Sequence, residues 1–391
     1  MDDLRIGVIG AGGRGVIASY AHRPGAGSRV TACCATDPQA LEASRRRYSD
    51  DVFTTDDYRA LLEQPLDAVF VCTPDYLHEE HALAALEHGL AIYLEKPMAI
   101  TIAGCDRILR AAMDARARLY VGHNMRHMAF VRQMKALIDQ GAIGEVKTAW
   151  CRHFVGHGGD FYFKDWHAER HNTTGMLLQK AAHDIDVLHW LCGSYTRRVN
   201  AMGGLTLYDQ IADRHAPGER GDPSPHLEHW PPLSNHGMNP IIDIEDISMM
   251  NMQLENGVFV SYQQCHFTPD YWRNYTVIGT LGRIENVGNT EAGTVINLWN
   301  TRRMEFGAPD QVFTIASDDG SHGGADPRIV GEFLDFVRHG GITTTSPLGA
   351  RASVAAGCLA TDSLRNGGQP YDVPAIDPQV EAYYVAGQTK L

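Results

Sequence analysis

A glycine pattern near the start of the chain constrains its fold more than any other feature. Leu4 to Ile9 is an apolar run broken only by Arg5 and Gly7, and it leads directly into Gly10-Ala11-Gly12-Gly13-Arg14-Gly15. This is G-x-G-x-x-G after a strand and at the opening of a helical stretch. Glycines at this spacing let backbone N–H groups approach a pyrophosphate, which the following helix N-terminus stabilises. The motif sits in a strand–helix–strand unit, so it points to a doubly wound parallel sheet and a bound dinucleotide. Gly10, Gly12, Gly13, Arg14 and Gly15 are candidate cofactor contacts.

The next segments keep that alternation of strand and helix. A second strand, Arg29 to Cys34, ends in Ala35-Thr36-Asp37-Pro38. An acid about 20 residues past the glycines hydrogen-bonds the adenine ribose in such folds. Asp37, with Thr36 beside it, is the candidate here; its plainer reading is as the cap of the following helix. The nearest arginines, Arg45 to Arg47, stand further on, which favours NAD over NADP. Leu66 to Cys72 is a buried strand ending at Thr73-Pro74, and His78 opens an alanine-rich helix. Ala91-Ile92-Tyr93-Leu94 then runs into Glu95-Lys96-Pro97. The apolar four read as a buried parallel strand, and Pro97, lacking an N–H, ends its ladder. Ligands of open α/β sheets bind beyond such strand ends. A lysine there is partly desolvated, which lowers its pKa towards the range useful for proton transfer. The alternative is an ordinary surface Glu-Lys pair. A last strand, Leu119 to Gly122, precedes His123-Asn124-Met125-Arg126, and the first domain is expected to span 1–125.

Residues 126–391 read as a second domain. Val131 to Gln140 has helical period, and Val146 to Phe154 is a long strand. One helix is expected from Gly175 to Leu191, with Gln179, His183, Asp186 and Trp190 on one face and Lys180 and Asp184 in the neighbouring stripe. Alternating strands follow at 199–205, 247–254, 258–267, 275–279 and 282–287, then helices at 326–338 and 350–364. Residues 207–240 have no period and read as a lid, an oligomer contact or an inert insertion.

The totals exclude several classes. The 391 residues carry a formal net charge of −13 and no Lys/Arg-rich tract, so no nucleic-acid partner is expected. No apolar run approaches the roughly 18 residues that cross a membrane, and the N-terminus lacks a signal-peptide pattern. The eight cysteines are scattered with no C-x-x-C, as in a cytoplasmic protein with reduced thiols. Metal ligands are not clustered, so no metal is expected. One segment is locally basic: Lys147, Arg152, His153, His157, Lys164, His167, Arg170, His171 and Lys180. Either it focuses a field on an anionic substrate, or its side chains pair with Asp160, Asp165, Glu169 and their neighbours.

Taken together, the glycine loop, Cys72-Thr73-Pro74 with His78, Glu95-Lys96-Pro97, Asn124 with Arg126, Gly141-x-x-Gly144 and the helix bearing His183 resemble the glucose–fructose oxidoreductase / inositol dehydrogenase / MocA (Gfo/Idh/MocA) family. The resemblance runs from residue 5 to about 365. It implies an N-terminal Rossmann domain and a C-terminal α+β domain with a large, mostly antiparallel open sheet, whose last helices pack back on the first domain. It implies an NAD(P)-dependent oxidoreductase acting on a secondary hydroxyl of a sugar, sugar acid or cyclitol. Lys96 and His183 would be the acid/base pair, meeting at one carbon beside the nicotinamide. Cofactor contacts would add Thr36, Asp37, Thr73, Pro74, His78, Glu95, Asn124 and Trp166. Substrate contacts would be Lys96, Arg126, Arg152, Lys164, His167, Gln179, Lys180 and His183. Many relatives carry aspartate where this chain has Gln179, which does not titrate; Asp186 could hold the imidazole instead. The alternative activity is a redox-neutral glycosidase, a minority class of the family, with Lys180, Tyr271 or a histidine of 153–171 as extra acid/base groups. A non-catalytic nucleotide-binding regulator is a third class, which the intact Lys96 and His183 disfavour. The open sheet face is too large to leave bare, so a homodimer or homotetramer is expected.

Overall fold

A computed structural model of the chain describes residues 2–219, 221–290, 293–316 and 322–388. Two compact units form: Met1–Met128 with Asp319–Arg351 and Ala375–Leu391, and Ala129–Asp318 with Ala352–Pro374. The linear division expected at residue 125 therefore differs from the observed one, because two later stretches belong to the first unit. The reason is apolar. Helix Ala325–His339 buries Ile329, Val330, Phe333 and Phe336 in the first unit's core. The Phe333 ring lies 5.2–5.7 Å from the rings of Phe70, Tyr93 and Tyr120.

In the first unit, β1 (Leu4–Ile9), β2 (Ser28–Cys34), β3 (Phe53–Thr55), β4 (Ala68–Val71), β5 (Ala91–Leu94) and β6 (Leu119–Val121) form a parallel sheet in the order β3-β2-β1-β4-β5-β6. β4, β5 and β6 are buried throughout, as apolar runs covered on both faces should be. The order reverses between β1 and β4, which makes the carboxyl end of β1 the topological switch point. The glycine motif follows there. The element after it, Gly13–Ala21, is a 3₁₀ helix and not an α-helix. Its glycine-rich opening has little α-helical propensity, and Gly15 donates to the Gly12 carbonyl at 2.7 Å.

In the second unit, β7 (Val146–Phe154), β8 (Thr196–Gly204), β9 (Ile247–Leu254), β10 (Phe259–Cys265), β11 (Trp272–Gly279), β12 (Arg283–Val287), β13 (Val295–Trp299), β14 (Gln311–Thr314) and β15 (Tyr371–Asp372) form one sheet, in the order β14-β13-β12-β11-β7-β10-β9-β8-β15. Every pairing is antiparallel except that of β7 with β10. The pleat sorts the side chains. Cys151 and His153 share a face with Tyr262 and Gln264, and they are buried. Thr148 and Arg152 lie on the other face, in register with Phe259 and Gln263, and through β9 with the exposed Met249 and Met202.

The irregular 207–240 stretch is anchored at its start. Asp246 accepts from the backbone N–H of Thr206, Leu207 and Tyr208 at 2.7–3.1 Å. Tyr208, Ile211 and Met238 pack in a small core with Phe163 and Met176. Among the described residues no helix is long and apolar enough to cross a membrane.

Candidate active site

The glycine loop is closed on one side and open on the other. Gly10 has φ +87°, and a Cβ there would meet the Cys72 carbonyl carbon at 2.7 Å. A Cβ on Gly15 would lie 2.1 Å from the Gly10 carbonyl oxygen. Gly10 needs glycine for conformation and for room, and Gly15 for room. At Gly12, by contrast, the nearest atom is the Ala40 Cβ at 3.5 Å, and at Gly13 nothing lies within 4 Å. The opening at Gly12–Gly13 is the cradle a pyrophosphate requires. We therefore expect Gly12→Ala to leave the thermal unfolding midpoint within about 2 °C of wild type, as for a neutral surface change. The same variant should weaken NADH binding, followed by its fluorescence, by more than about tenfold. Equal affinity in the two proteins would show that the cradle is not used.

Asp37 caps helix Pro38–Tyr48, its carboxylate accepting from the Gln39 N–H at 2.9 Å. Thr36 beside it is exposed. The capping reading of Asp37 holds; contact with a ribose would be an additional role.

The strand-end residues form a buried ionic chain. Glu95 is buried; one oxygen accepts from Arg14 Nε at 2.6 Å, the other from the Lys96 backbone N–H at 3.0 Å. Arg14 also forks onto Asp326 at 2.7 and 2.9 Å. Asp326 further accepts from Asn124 Nδ2 at 2.9 Å and lies 2.9 Å from His322 Nδ1. Burial alone would raise the Asp326 carboxyl, but His322 and Arg14 hold it well below the usual carboxylate range. Burial would lower the Arg14 guanidinium, and Glu95 and Asp326 reverse that. Arg14 is therefore held by two carboxylates. Asn124 Oδ1 is buried with no hydrogen-bond partner among the described residues, leaving an acceptor for a ligand.

His78 is a staple. Its ring nitrogens lie 2.7 Å from the Pro97 carbonyl and 2.8 Å from that of Thr73. It thus bridges the Thr73-Pro74 turn and the turn that follows Lys96; burial lowers its pKa, and the neutral ring donates to one of the two carbonyls. Lys96 is half-buried, and the Lys96–Pro97 peptide bond is cis. Arg126, expected at the substrate, is buried and donates to the Thr344 carbonyl at 2.8 Å.

In the second unit the single helix expected over 175–191 is two, Met176–Gln179 and Ala182–Cys192. The Ala181 N–H reaches back to the Met176 carbonyl at 3.1 Å, a widened turn that interrupts the run. Gln179 is buried, while Lys180 and His183 on either side of the break are half-buried. The Lys180 ammonium stands 5.2 Å from the Tyr162 ring centre. Asp186 is buried and not a helix-surface acid.

Sequence reasoning missed the hub of this unit. Asp184 is fully buried and lies 3.1 Å from Arg273 Nε, 3.1 Å from His153 Nδ1 and 3.1 Å from the Tyr262 hydroxyl. The Tyr275 hydroxyl also donates to it. Burial opposes the charge on Asp184, and Arg273 and His153 overcome it, so its pKa lies below the ordinary value. Burial and the Arg273 charge push the His153 imidazole down to about 3, so it is neutral at neutral pH.

The basic crowd is largely neutralised within its own unit. Lys164 sits 3.2 Å from Asp160, Arg170 3.0 Å from Asp243, Lys147 2.6 Å from Glu145 and His171 3.6 Å from Glu169. His167 pairs with Asp165 and stacks on Trp166 with ring centres 3.8 Å apart. Arg152 points to the opposite sheet face from His153 and donates to Asn274 at 3.2 Å. Arg152, Lys164 and His167 thus each have a polar or acidic partner within the unit, and the pleat sends Arg152 to the face opposite His153.

The open glycine cradle and the unmatched Asn124 oxygen fit a dinucleotide. Comparison with known proteins agrees. Residues 4–123 match the oxidoreductase family with NAD-binding Rossmann fold, and residues 131–285 match the GFO/IDH/MocA C-terminal domain. The putative oxidoreductase YteT of Bacillus subtilis is 24% identical over 379 residues, 84% of this chain and 87% of that one. The 2,7-anhydro-N-acetylneuraminate hydratase of Mediterraneibacter gnavus is 29% identical over 206 residues, 52% of this chain and 53% of its own length. The chain thus spans about half of that relative. A levoglucosan dehydrogenase complex with NADH and levoglucosan superposes with a TM-score of 0.77 at 20% identity, covering 95% of this chain and 100% of that chain. At that identity the likeness speaks for the fold. The chain is a Gfo/Idh/MocA family member, an NAD(P)-dependent oxidoreductase built from a Rossmann domain and a mostly antiparallel C-terminal sheet.

Proposed function

We propose that this oxidoreductase moves hydride between NAD and a secondary hydroxyl of a sugar, sugar acid or cyclitol. Lys96 and His183 handle the hydroxyl proton. The observation that carries this reading is the Arg14–Glu95–Lys96 linkage. It ties the dinucleotide loop to the backbone of the strand-end lysine, so the base is held in register with the cofactor cradle. Bound nicotinamide supplies the hydride acceptor. The chain's own work is to fix the lysine, hold the sugar and take or return one proton. NAD is favoured over NADP because Arg45 and Arg46 stand 3.6 and 3.2 Å from Glu42, which offsets the charge a 2′-phosphate would need. The exposed Met202, Met249 and Phe259 share one sheet face, and we assign that face to contact between copies of the chain.

The similarity to a 2,7-anhydro-N-acetylneuraminate hydratase favours keeping a second reading, a redox-neutral elimination and hydration. Oxidation of a ring hydroxyl, its hydride passing to NAD, leaves a ketone that acidifies the neighbouring C–H. Loss of that proton expels a leaving group β to the carbonyl, water adds to the resulting double bond, and return of the hydride to the ketone restores the alcohol and NAD. One experiment separates the two: a panel of sugars, cyclitols and glycosides with NAD, followed by the near-ultraviolet absorbance of reduced nicotinamide and by product analysis. Stoichiometric NADH supports net oxidation. NAD-dependent product without NADH supports the neutral cycle. Neither outcome across the panel would sink both.

A further inference from the structure

We propose that Asp326 is a positioning residue for the cofactor. It holds the Asn124 side-chain amide so that the oxygen, and not the NH2, meets a hydrogen-bond donor of the nicotinamide riboside half: the carboxamide NH2 or a ribose hydroxyl. The inference rests on the dinucleotide-binding part of the function proposed above and is independent of the sugar.

The sheet decides which half of the ligand Asn124 faces. Its order, β3-β2-β1-β4-β5-β6, divides the carboxyl edge at the switch point between β1 and β4. Each half of such a sheet takes one mononucleotide. Asp37, the candidate for the adenine ribose, follows β2 on one half. Asn124 follows β6 on the other half and opens the 3₁₀ turn Asn124–His127. The nicotinamide riboside is the part of a dinucleotide that falls on that side.

Asp326 comes from helix Ala325–His339, which Ile329, Val330 and Phe333 anchor in the core of the same unit. Four donors converge on its carboxylate. Arg14 Nη1 and Nη2 fork onto its two oxygens at 2.7 and 2.9 Å, and His322 Nδ1 lies 2.9 Å from Oδ2. Asn124 Nδ2 donates to Oδ1 at 2.9 Å. The bidentate fork fixes the plane of the carboxylate, and Glu95 pins Arg14 in turn at Nε, 2.6 Å away. A carboxylate offers lone pairs only. An amide that faces it must therefore present its NH2, and its oxygen is left for another partner.

That oxygen finds none within the chain. Asn124 is 1% exposed, and its Oδ1 is buried with no hydrogen-bond partner among the described residues. A buried acceptor without a donor is costly, and a ligand donor removes the cost. The backbone around it is fixed as well: the Asn124 N–H donates to the Gly122 carbonyl and the Gly122 N–H to the Leu94 carbonyl, both at 2.8 Å. Without the carboxylate the amide is free to turn, and its NH2 would then confront a donor. Asp326 thus sets the sign of the contact from 202 residues further along the chain.

The test is a ladder of ligands titrated calorimetrically into wild type, Asn124→Leu, Asp326→Asn and the double variant. The ladder is NADH; its reduced 3-acetylpyridine analogue, with methyl in place of the carboxamide NH2; ADP-ribose, which keeps the ribose hydroxyls and lacks the ring; and ADP. With the carboxamide as donor, Asn124→Leu weakens NADH by about tenfold and leaves the other three within about twofold. With a ribose hydroxyl as donor, it weakens NADH, the analogue and ADP-ribose by about tenfold each and leaves ADP unchanged. In either case Asp326→Asn, whose amide no longer dictates the orientation, should weaken the same ligands by about threefold or more and add nothing to Asn124→Leu in the double variant. The proposal is overturned if Asn124→Leu or Asp326→Asn binds NADH as wild type does, or if the two losses add. It is also overturned if either variant weakens ADP as much as NADH, the mark of a merely structural role. Should Asn124→Leu not fold, the ladder in wild type and Asp326→Asn decides. A wild-type affinity that rises neither from ADP to ADP-ribose nor from the analogue to NADH overturns the proposal, and a rise that Asp326→Asn flattens supports it. A wild type that binds none of the four strikes at dinucleotide binding itself and takes this proposal with it; a wild type that binds them, with indifferent variants, strikes at this proposal alone.

Discussion

Replacing Lys96 with methionine is expected to lower turnover by about 10³-fold, within the range a positioned general acid or base contributes. NADH affinity should change less than about fivefold, because the contacts that shape the cofactor side do not use the ammonium. Glu95 is bonded to the Lys96 backbone N–H and to Arg14. Methionine keeps an unbranched stem of similar length and leaves the backbone bond in place. The check is a pair of measurements on one preparation: NADH fluorescence titration, and the rate of nicotinamide reduction with the sugar the panel identifies. A variant that binds NADH and turns over within about tenfold of wild type would remove Lys96 from the chemistry. A variant that has lost NADH binding would mean that the ammonium holds cofactor.

The first half of the fold was legible because its signals are local. A glycine loop after an apolar strand, and a proline after Leu94-Glu95-Lys96, are statements about neighbouring residues, and β1, β5 and the loop fall where the sequence puts them. The second sheet was read as far as β12; four-residue β14 and two-residue β15 carry too few residues for alternation to stand out, whereas β13 alternates over five residues, as long as β12, and was overlooked. The site was less legible. Asp326 closes the Arg14–Glu95 chain from a helix far along the sequence, and no spacing rule reaches that distance. A weak signal existed in that an acid opens an otherwise amphipathic helix. His78 looked like a ligand by its place after Thr73-Pro74, yet two carbonyls claim it. Arg152 and His153 were read as one basic group. Strand period sends neighbours to opposite faces, and that rule, applied strictly, separates them without a structure. The widened turn at Lys180–Ala181 hid Asp184: a continuous helix counted from Gln179 puts it in a side stripe, whereas the broken one turns it into the core.

Asp184 should also prove the most sensitive position for stability. Asp184→Asn is expected to destabilise the second unit by about 3–5 kcal/mol, the range for removing one partner of a buried ion pair, because the Arg273 charge is left without its counterion. A urea titration followed by tryptophan fluorescence would read this as a lowered midpoint. The control is Arg273→Met alone and with Asp184→Asn. If the pair acts as a unit, the double variant loses clearly less than the sum of the singles; full additivity would mean that the contact contributes nothing of its own. The acid limb carries a second check with a definite sign. The His153 imidazole protonates near its ordinary value of about 6.5 in the unfolded chain but only at about 3 in the folded one. Its contribution is therefore present above the unfolded value and declines as pH falls from about 6.5 towards 3, where the unfolded state binds the extra proton. Asp184, held low chiefly by Arg273 against its burial, adds its own loss only below about pH 4, where an unfolded aspartate begins to protonate. Wild-type stability should thus fall in two stages on acidification, and His153→Gln should make the first shallower by one histidine's share, since burial also lowers His78, His81 and His266, while leaving the second. A wild-type profile level from pH 6.5 to 4 would contradict a buried neutral His153.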